Sequence, residues 1–324
     1  MPARRPAVLD LTRLLPGAVA TKLLLDAGFE VVKVEEPGAG DYMREWAPRL
    51  FSLLNGGKKS VAVDLKSGEG RALFLELAKE ADVVIEGFRP GVVERLGVAY
   101  EDVRRANPRI AYVSLRGYRA ASKRARMPGH DLNYAAVAGA LARPEPLPVQ
   151  VADIGGGIMA ALKALELYVK GGGYAEVAMA DVAALFSVVN VAGELLQLRG
   201  SAFYNVLRAR DGYVAVGALE EKFADRLCEA LGLAAECAER LPEAVAERVV
   251  EELVEIAEAC DLPITPVAEL GRPIEEYAEL PIREAGRAPA RGENTVELLG
   301  PIAERLGLSL DRLLERGVVE KGSV

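Results

Sequence analysis

Between residues 7 and 115 the chain alternates short apolar runs, rich in Val and Ile, with longer stretches in which apolar positions recur three and four apart. The period-two runs at 7–11, 30–35, 61–65, 83–87 and 110–115 predict strands, and the stretches at 17–27, 68–81 and 91–106 predict helices. Strands separated by helices need crossover connections, so the pattern predicts a parallel sheet in a doubly wound α/β domain.

Residues 131–141 and 157–170 predict two further helices on either side of the connector P-E-P-L-P at 144–148. The pattern then changes. Residues 205–219 form two β runs around Asp211-Gly212, a hairpin signal, and helices are predicted at 221–231 and 242–259. The expected organisation is a large domain over 1–190, a smaller α+β domain over 191–290, and a return of 291–324 to the first. No internal repeat is evident.

Composition narrows the partners. A net charge of −8 over 324 residues argues against nucleic acid, whose affinity rests on cationic neutralisation of phosphates. No run approaches the roughly 18 to 20 apolar residues of a membrane span, and residues 1–15 lack the apolar core of a signal peptide, so a cytoplasmic enzyme is expected. Gln150 and Gln197 are the only glutamines amid abundant Arg and Glu, which points to a thermophilic source. Cys228, Cys237 and Cys260 form no C-x-x-C pair and are expected to be ordinary thiols rather than a disulfide or zinc site.

The glycine-rich segments do not make nucleotide sites. Gly56-Gly57-Lys58-Lys59-Ser60 has Ser52 where a P-loop has its first glycine, and it precedes a strand rather than a helix; no strand-to-helix turn carries G-x-G-x-x-G. The remaining candidates lie at the ends of elements. His130, the sole histidine, sits in P-G-H-D before a predicted helix, with Asp131 placed to act as its N-cap. Asp153 precedes Gly155-Gly156-Gly157, read as a loop free to approach a ligand, although an N-cap is the ordinary role of such an Asp. Glu220 ends the hairpin and could serve a helix dipole. Lys58, Lys59 and Arg89 form basic turns that are either solvated or an anion site.

The chain resembles the α-methylacyl-CoA racemases, a branch of the family III CoA-transferases. The resemblance rests on an ordered series of motifs: V-L-D-L-T-R-L-L-P-G from Val8, L-N-G-G-K-K-S-V-A-V-D-L-K from Leu54 and G-F-R-P-G-V-V-E-R-L-G-V from Gly87. P-G-H-D-L-N-Y from Pro128, A-D-I-G-G-G from Ala152, E-V-A-M-A-D-V from Glu176 and V-A-V-G-A-L-E from Val214 continue it. It implies a Rossmann-like CoA-binding large domain, a small domain, and a homodimer of interlocked rings with active sites at the interface. It assigns His130 and Asp153 as acid/base groups and Glu220 as the acidic support of the histidine. The candidate CoA contacts are Arg13, Asn55, Lys58, Lys59, Arg89 and Asp131.

The chemistry agrees with that assignment. Inverting a carbon next to a thioester carbonyl needs proton removal on one face and return on the other, hence two groups in opposite protonation states. The expected activity is inversion of a 2-methylacyl-CoA or related thioester in lipid metabolism, needing no metal and no redox cofactor, with CoA carried as part of the substrate. In the transferase relatives the same Asp is a nucleophile, so a CoA-transferase acting through Asp153 is the alternative; a non-catalytic acyl-CoA-binding protein is a third. The run after Gly117 departs from the family's glycine-rich turn and carries Arg119, Lys123, Arg124 and Arg126 beyond Arg116.

Overall fold

A computed structural model describes residues 4–141, 143–193, 200–233, 236–275, 282 and 285–322. Two compact units emerge, Met1–Ser187 with Pro281–Val324, and Val188–Leu280. The first unit runs β1 (Ala7–Leu11), α1 (Leu14–Asp26), β2 (Glu30–Glu35), α2 (Met43–Trp46), α3 (Pro48–Asn55), β3 (Lys59–Val63) and α4 (Gly68–Lys79). It continues through β4 (Val83–Glu86), α5 (Val92–Leu96), α6 (Tyr100–Ala106), β5 (Ala111–Arg116), α7 (Asp131–Val137), α8 (Val151–Lys170), β6 (Gly173–Ala178) and α9 (Met179–Phe186). The second unit holds α10 (Val188–Ala192), β7 (Tyr204–Arg208), β8 (Tyr213–Gly217), α11 (Glu221–Ala230), α12 (Cys237–Ala246), α13 (Val250–Cys260) and β9 (Ile264–Pro266). The chain then returns to the first unit with α14 (Thr295–Arg305), α15 (Leu310–Glu315) and β10 (Val319–Glu320).

The large sheet has the order β10-β3-β2-β1-β4-β5-β6, parallel except where β10 pairs antiparallel with β3. Strand alternation sends side chains to two faces. Val8, Val83, Ile85, Ala111 and Val113 pack with α1 and α8 residues such as Leu24 and Ala160. Leu9, Val84, Ile110 and Tyr112 pack on the other face with Leu73, Val103 and Leu299. A central strand such as β4 is buried along its whole length, which is why its sequence V-V-I-E is a continuous apolar run closed by one acid. The helix expected over 91–106 is two helices, because Gly97 adopts φ +67° and closes the first.

The expected loop at Gly155–Gly157 is instead helix. α8 begins at Val151, and its three glycines let it pack backbone-close to neighbours in three directions. A Cβ on Gly155 would lie 2.4 Å from the Phe186 ring, one on Gly156 2.6 Å from Met179 Cγ, and one on Gly157 2.5 Å from the Pro16 carbonyl oxygen. No helix among the described residues is long and apolar enough to cross a membrane.

In the second unit β7 and β8 form the antiparallel hairpin around Asp211-Gly212, and β9 adds a third strand. Its core joins Val214, Val216, Leu227, Leu241 and Leu253. The expectation of three free thiols is corrected: Cys228 and Cys237 form a disulfide between α11 and α12, and Cys260 alone is free. Their spacing matches no motif, and only the folding of the two helices against each other brings the sulfurs together.

The contact between Gly157 and the Pro16 carbonyl predicts that Gly157→Ala lowers stability by about 1–3 kcal/mol through overpacking. Gly68, exposed at the start of α4 with nothing within 4 Å of its would-be Cβ, is the control. Gly68→Ala is expected to be neutral or stabilising by about 0.4–1 kcal/mol. Urea midpoints of the two variants measure the contrast.

Candidate functional site

The sheet order reverses direction between β1 and β4, so the turns leaving their C-terminal ends diverge and open a cleft. It has a volume of about 680 Å³ and lies wholly within the first unit. The turn after β1 contributes Thr12, Arg13 and Leu14, and the turn after β4 contributes Gly87, Phe88 and Arg89. The end of β5 and the loop after it bring Arg116, Tyr118, Met127 and His130; α7 and α8 bring Tyr134 and Asp153.

The turn after β1 is shaped by buried charge. Asp10, with no exposed surface, accepts hydrogen bonds from Thr12 N (3.0 Å), Thr12 Oγ1 (2.5 Å) and Thr21 Oγ1 (2.9 Å). Lys33 Nζ donates to the Thr12 carbonyl at 3.0 Å and lies 2.9 Å from Asp41 Oδ2. Asp41 Oδ1 in turn accepts from Leu14 N at 3.0 Å. Burial by itself would raise the Asp10 carboxyl, but Lys33, Lys58 and the Thr12 hydrogen bonds hold it below the ordinary carboxylate range. Burial likewise works against the Lys33 charge, and Asp10, Asp41 and Glu35 overcome it. Leu14 is held at φ +65°, a left-handed conformation costing a branched residue about 1–3 kcal/mol, so these bonds maintain a geometry the chain would not choose alone.

The turn after β4 is fixed in a similar way. Glu86, buried at the end of β4, accepts from the Phe88 amide at 2.7 Å and from the Ser114 hydroxyl, and burial pushes its carboxyl above the usual range.

His130 and Asp153 both line the cleft. His130, not Asp131, occupies the N-cap position of α7, which corrects the expected capping role. The Asp131 carboxylate instead caps a different helix: its Oδ1 accepts from Ala152 N (2.7 Å) and Asp153 N (2.9 Å) in the first turn of α8. The residue after the histidine thus staples the helix that carries the aspartate. Asp153 is half-buried, and its pKa is pushed up to about 6 by burial first and by the negative charge of Asp131 second.

The expected CoA contacts divide. Arg13 and Arg89 line the cleft; the Arg13 guanidinium is held by Glu36 Oε2 at 2.9 Å and the Tyr42 hydroxyl at 3.0 Å. Lys58 and Asn55 do not reach it. Lys58 is buried, donates to Thr21 Oγ1 (2.6 Å) and Asn55 Oδ1 (2.8 Å), and burial lowers its pKa to about 8 despite the nearby Asp10. Both residues are components of the interior, because α3 folds the G-G-K-K turn back over α1. Lys59 pairs with Glu297 at 2.8 Å and is not among the residues lining the cleft. Glu220 is the N-cap residue of α11 in the second unit and is not among the residues lining the cleft.

A second cavity, about 500 Å³, shares Leu11, Thr12, Arg13, Phe88 and Val92 with the first. Lys66 and Arg95 line its far side. Sequence reasoning missed Thr12, Phe88, Tyr134, Lys66 and Arg95. Their signal was positional: four of the five belong to the turns or first helical residues that follow strand ends or to the helix after β4, where a doubly wound sheet places its ligands.

The sequence profile of CoA-transferase family III matches residues 6–279. The chain is 30% identical over 299 residues to a human alpha-methylacyl-CoA racemase, covering 81% of this chain and 76% of that protein. It is 38% identical over 165 residues to an acetyl-CoA:oxalate CoA-transferase of Acetobacter aceti, a match spanning 47% of this chain and only 42% of the relative. A crystal structure of a hypothetical protein from Mycobacterium tuberculosis superposes with a TM-score of 0.79 at 28% identity, covering 91% of this chain and 99% of that one. The chain belongs to CoA-transferase family III.

Proposed function

We propose that this chain is a racemase or epimerase that inverts the α carbon of a 2-methylacyl-CoA or related acyl-CoA thioester. The observation that carries the reading is the pairing, in one cleft, of the sole histidine with an aspartate whose pKa sits near 6. His130 takes the proton from one enantiomer while protonated Asp153 delivers one to the opposite face, and the roles exchange in reverse. The thioester sits in the cleft and the phosphates of CoA extend into the adjoining cavity toward Arg13, Lys66 and Arg95. Those residues replace Lys58 and Lys59 as the cations of the CoA site. Glu220 keeps the role the resemblance gives it, an acidic support for His130 in a site completed where two chains meet.

The second reading, a CoA-transferase with Asp153 as nucleophile, draws support from the 38% identity to the oxalate transferase. Isotope exchange separates the two. In deuterated water the racemase exchanges the α-hydrogen of both enantiomers. His130→Gln and Asp153→Asn each abolish inversion, with losses of about 10²–10⁴ in rate, and each leaves residual exchange only in the enantiomer facing the surviving group. A transferase loses CoA transfer in Asp153→Asn and keeps it in His130→Gln. Exchange and transfer both absent from the unaltered protein would leave only thioester binding.

The Asp153 pKa also makes a stability prediction. The unfolded carboxyl titrates near 3.8 and the folded one near 6, so between these values the folded state holds more protons. Stability therefore falls as pH rises through that window, and the cost is fully present above it. Asp153→Asn is expected to stabilise the protein at pH 7–8 by about 1–3 kcal/mol, and to lose that advantage below pH ~4. Equal denaturation midpoints for both proteins at pH 8 would contradict a raised carboxyl.

A homodimer belongs to the same proposal. Ile154, Ile158 and Leu162 recur every four residues on α8 and are exposed, beside exposed Leu185 and Phe186 on α9. A contiguous apolar stripe of this kind is an interaction surface. Light scattering should return twice the chain mass of 34.6 kDa, and Ile158→Glu with Leu162→Glu should shift it toward the monomer. A monomeric unaltered chain at micromolar concentration would overturn this part of the reading.

A further inference from the structure

His130 is exposed at the rim of the cleft, and its imidazole makes no hydrogen bond to another described side chain. Within the first unit its aim therefore depends on the backbone that carries it. The peptide unit joining Gly129 to His130 is gripped on both sides by side chains of α7. The Tyr134 hydroxyl donates to the Gly129 carbonyl at 2.5 Å, and Asn133 Oδ1 accepts from the His130 N–H at 3.0 Å. With carbonyl and N–H of one amide plane both fixed, rotation of that plane, which would swing the histidine Cα, breaks two bonds at once.

The Tyr134 ring is itself immobilised. It is buried and meets Tyr118 edge to face, with ring centroids 5.1 Å apart. It also fills the space that a side chain at Gly117 or Gly129 would need: a Cβ there would lie 2.4 Å and 2.7 Å from Tyr134 Cε1. Both glycines thus clear room for this ring, one at the end of β5 and one beside the histidine. Burial, reinforced by the charge of Asp153, pushes the Tyr134 hydroxyl up to about 12, so it remains a donor across the working pH range.

We propose that Tyr134, with Asn133, is a positioning residue that clamps the Gly129–His130 peptide and sets the reach of the imidazole into the cleft. This rests on the acid/base reading of His130. The clamp holds the histidine directly and reaches Asp153 only through Asp131, whose carboxylate accepts from the Ala152 and Asp153 amides at the start of α8. Loss of the clamp is therefore expected to slow exchange of the enantiomer whose α-hydrogen faces His130 more than exchange through Asp153, which general loosening of the fold would not do.

The experiment compares the untagged unaltered chain with Tyr134→Phe, Asn133→Ala and Asn133→Asp. Two readouts are used, α-hydrogen exchange of each enantiomer of a 2-methylacyl-CoA in deuterated water, and the NMR signal of the imidazole, unique because the chain has one histidine. Tyr134→Phe and Asn133→Ala are expected to slow exchange of the enantiomer facing His130 by about 10- to 100-fold at nearly unchanged KM, the scale set by displacement of a reacting group by an ångström or less. Exchange through Asp153 should fall by a smaller factor, and Asn133→Asp, which keeps the acceptor, should restore the rate. The imidazole resonance should shift or broaden in the two disrupting variants and return in Asn133→Asp. Equal loss for both enantiomers, or an unmoved resonance with unchanged exchange, overturns the clamp. If the unaltered chain exchanges neither enantiomer, the racemase reading fails by itself, and the resonance still decides whether Tyr134 holds His130.

Discussion

The Asp10 carboxylate, ionised and buried at the end of β1, anchors the interaction on which the cleft depends. Isolated, a buried carboxylate would be untenable; here Lys33, Lys58, Thr12 and Thr21 surround it. Removing one partner from such a group commonly costs about 3–5 kcal/mol because the other charge is left buried and unpaired. The same bonds run into the turn that follows. Thr12 gives its amide and hydroxyl to Asp10 and its carbonyl to Lys33, so Arg13 and Leu14, which line the cleft, leave the sheet in a fixed direction. The buried Lys33 and Lys58 thus belong to the scaffold, which explains why the conspicuous Lys58 is unavailable to a ligand.

A second constraint comes from α8. Its glycines bring the helix backbone against α1 at Pro16 and Val19 and against α9 at Met179, Val182 and Phe186, and Asp153 in its first turn lines the same cleft as the turn leaving β1. Asp153 is carried in that first turn, where the Asp131 carboxylate has already taken its amide and that of Ala152. The carboxyl is thereby half-buried beside another negative charge, and both circumstances favour its protonated form.

The alternation of strands and helices was legible because a sheet buried on both faces leaves unbroken apolar runs, as in V-V-I-E of β4. His130 and Asp153 were legible as a pair through family motifs, and what links them was not, since Asp131 caps α8 rather than α7. Lys58 and Asn55 were misplaced because charge in a sequence says nothing of depth: G-G-K-K reads as an exposed turn until α3 folds over it. The glycine triplet was misread as a loop because glycine disfavours helices in isolation, whereas here close contact with three neighbours outweighs that preference. The start of α8 was lost for the same reason. The Cys228–Cys237 disulfide left no sequence signal, because its geometry arises only when α11 and α12 pack.

Reversible inversion demands that each of the two groups serve in turn as acid and as base. An aspartate at its ordinary pKa of 3.8 is almost wholly ionised at neutrality, and the direction that requires it to donate a proton would rarely find it ready. At a pKa of about 6, roughly a tenth of the molecules are protonated at pH 7, about two orders of magnitude more. That gain requires an apolar, shielded carboxyl, while CoA phosphates require water and cations. The fold reconciles these demands by separation. Asp153 lies in the cleft beside Met179 and Tyr134, whereas Lys66 and Arg95 line the adjoining cavity, and the turn fixed by Asp10 stands between the two. Of the cations proposed for CoA, Lys66 and Arg95 line only the adjoining cavity, and Arg13, which borders both, is paired with Glu36 at 2.9 Å, so burial and Asp131 govern the carboxyl that the proposed chemistry needs raised.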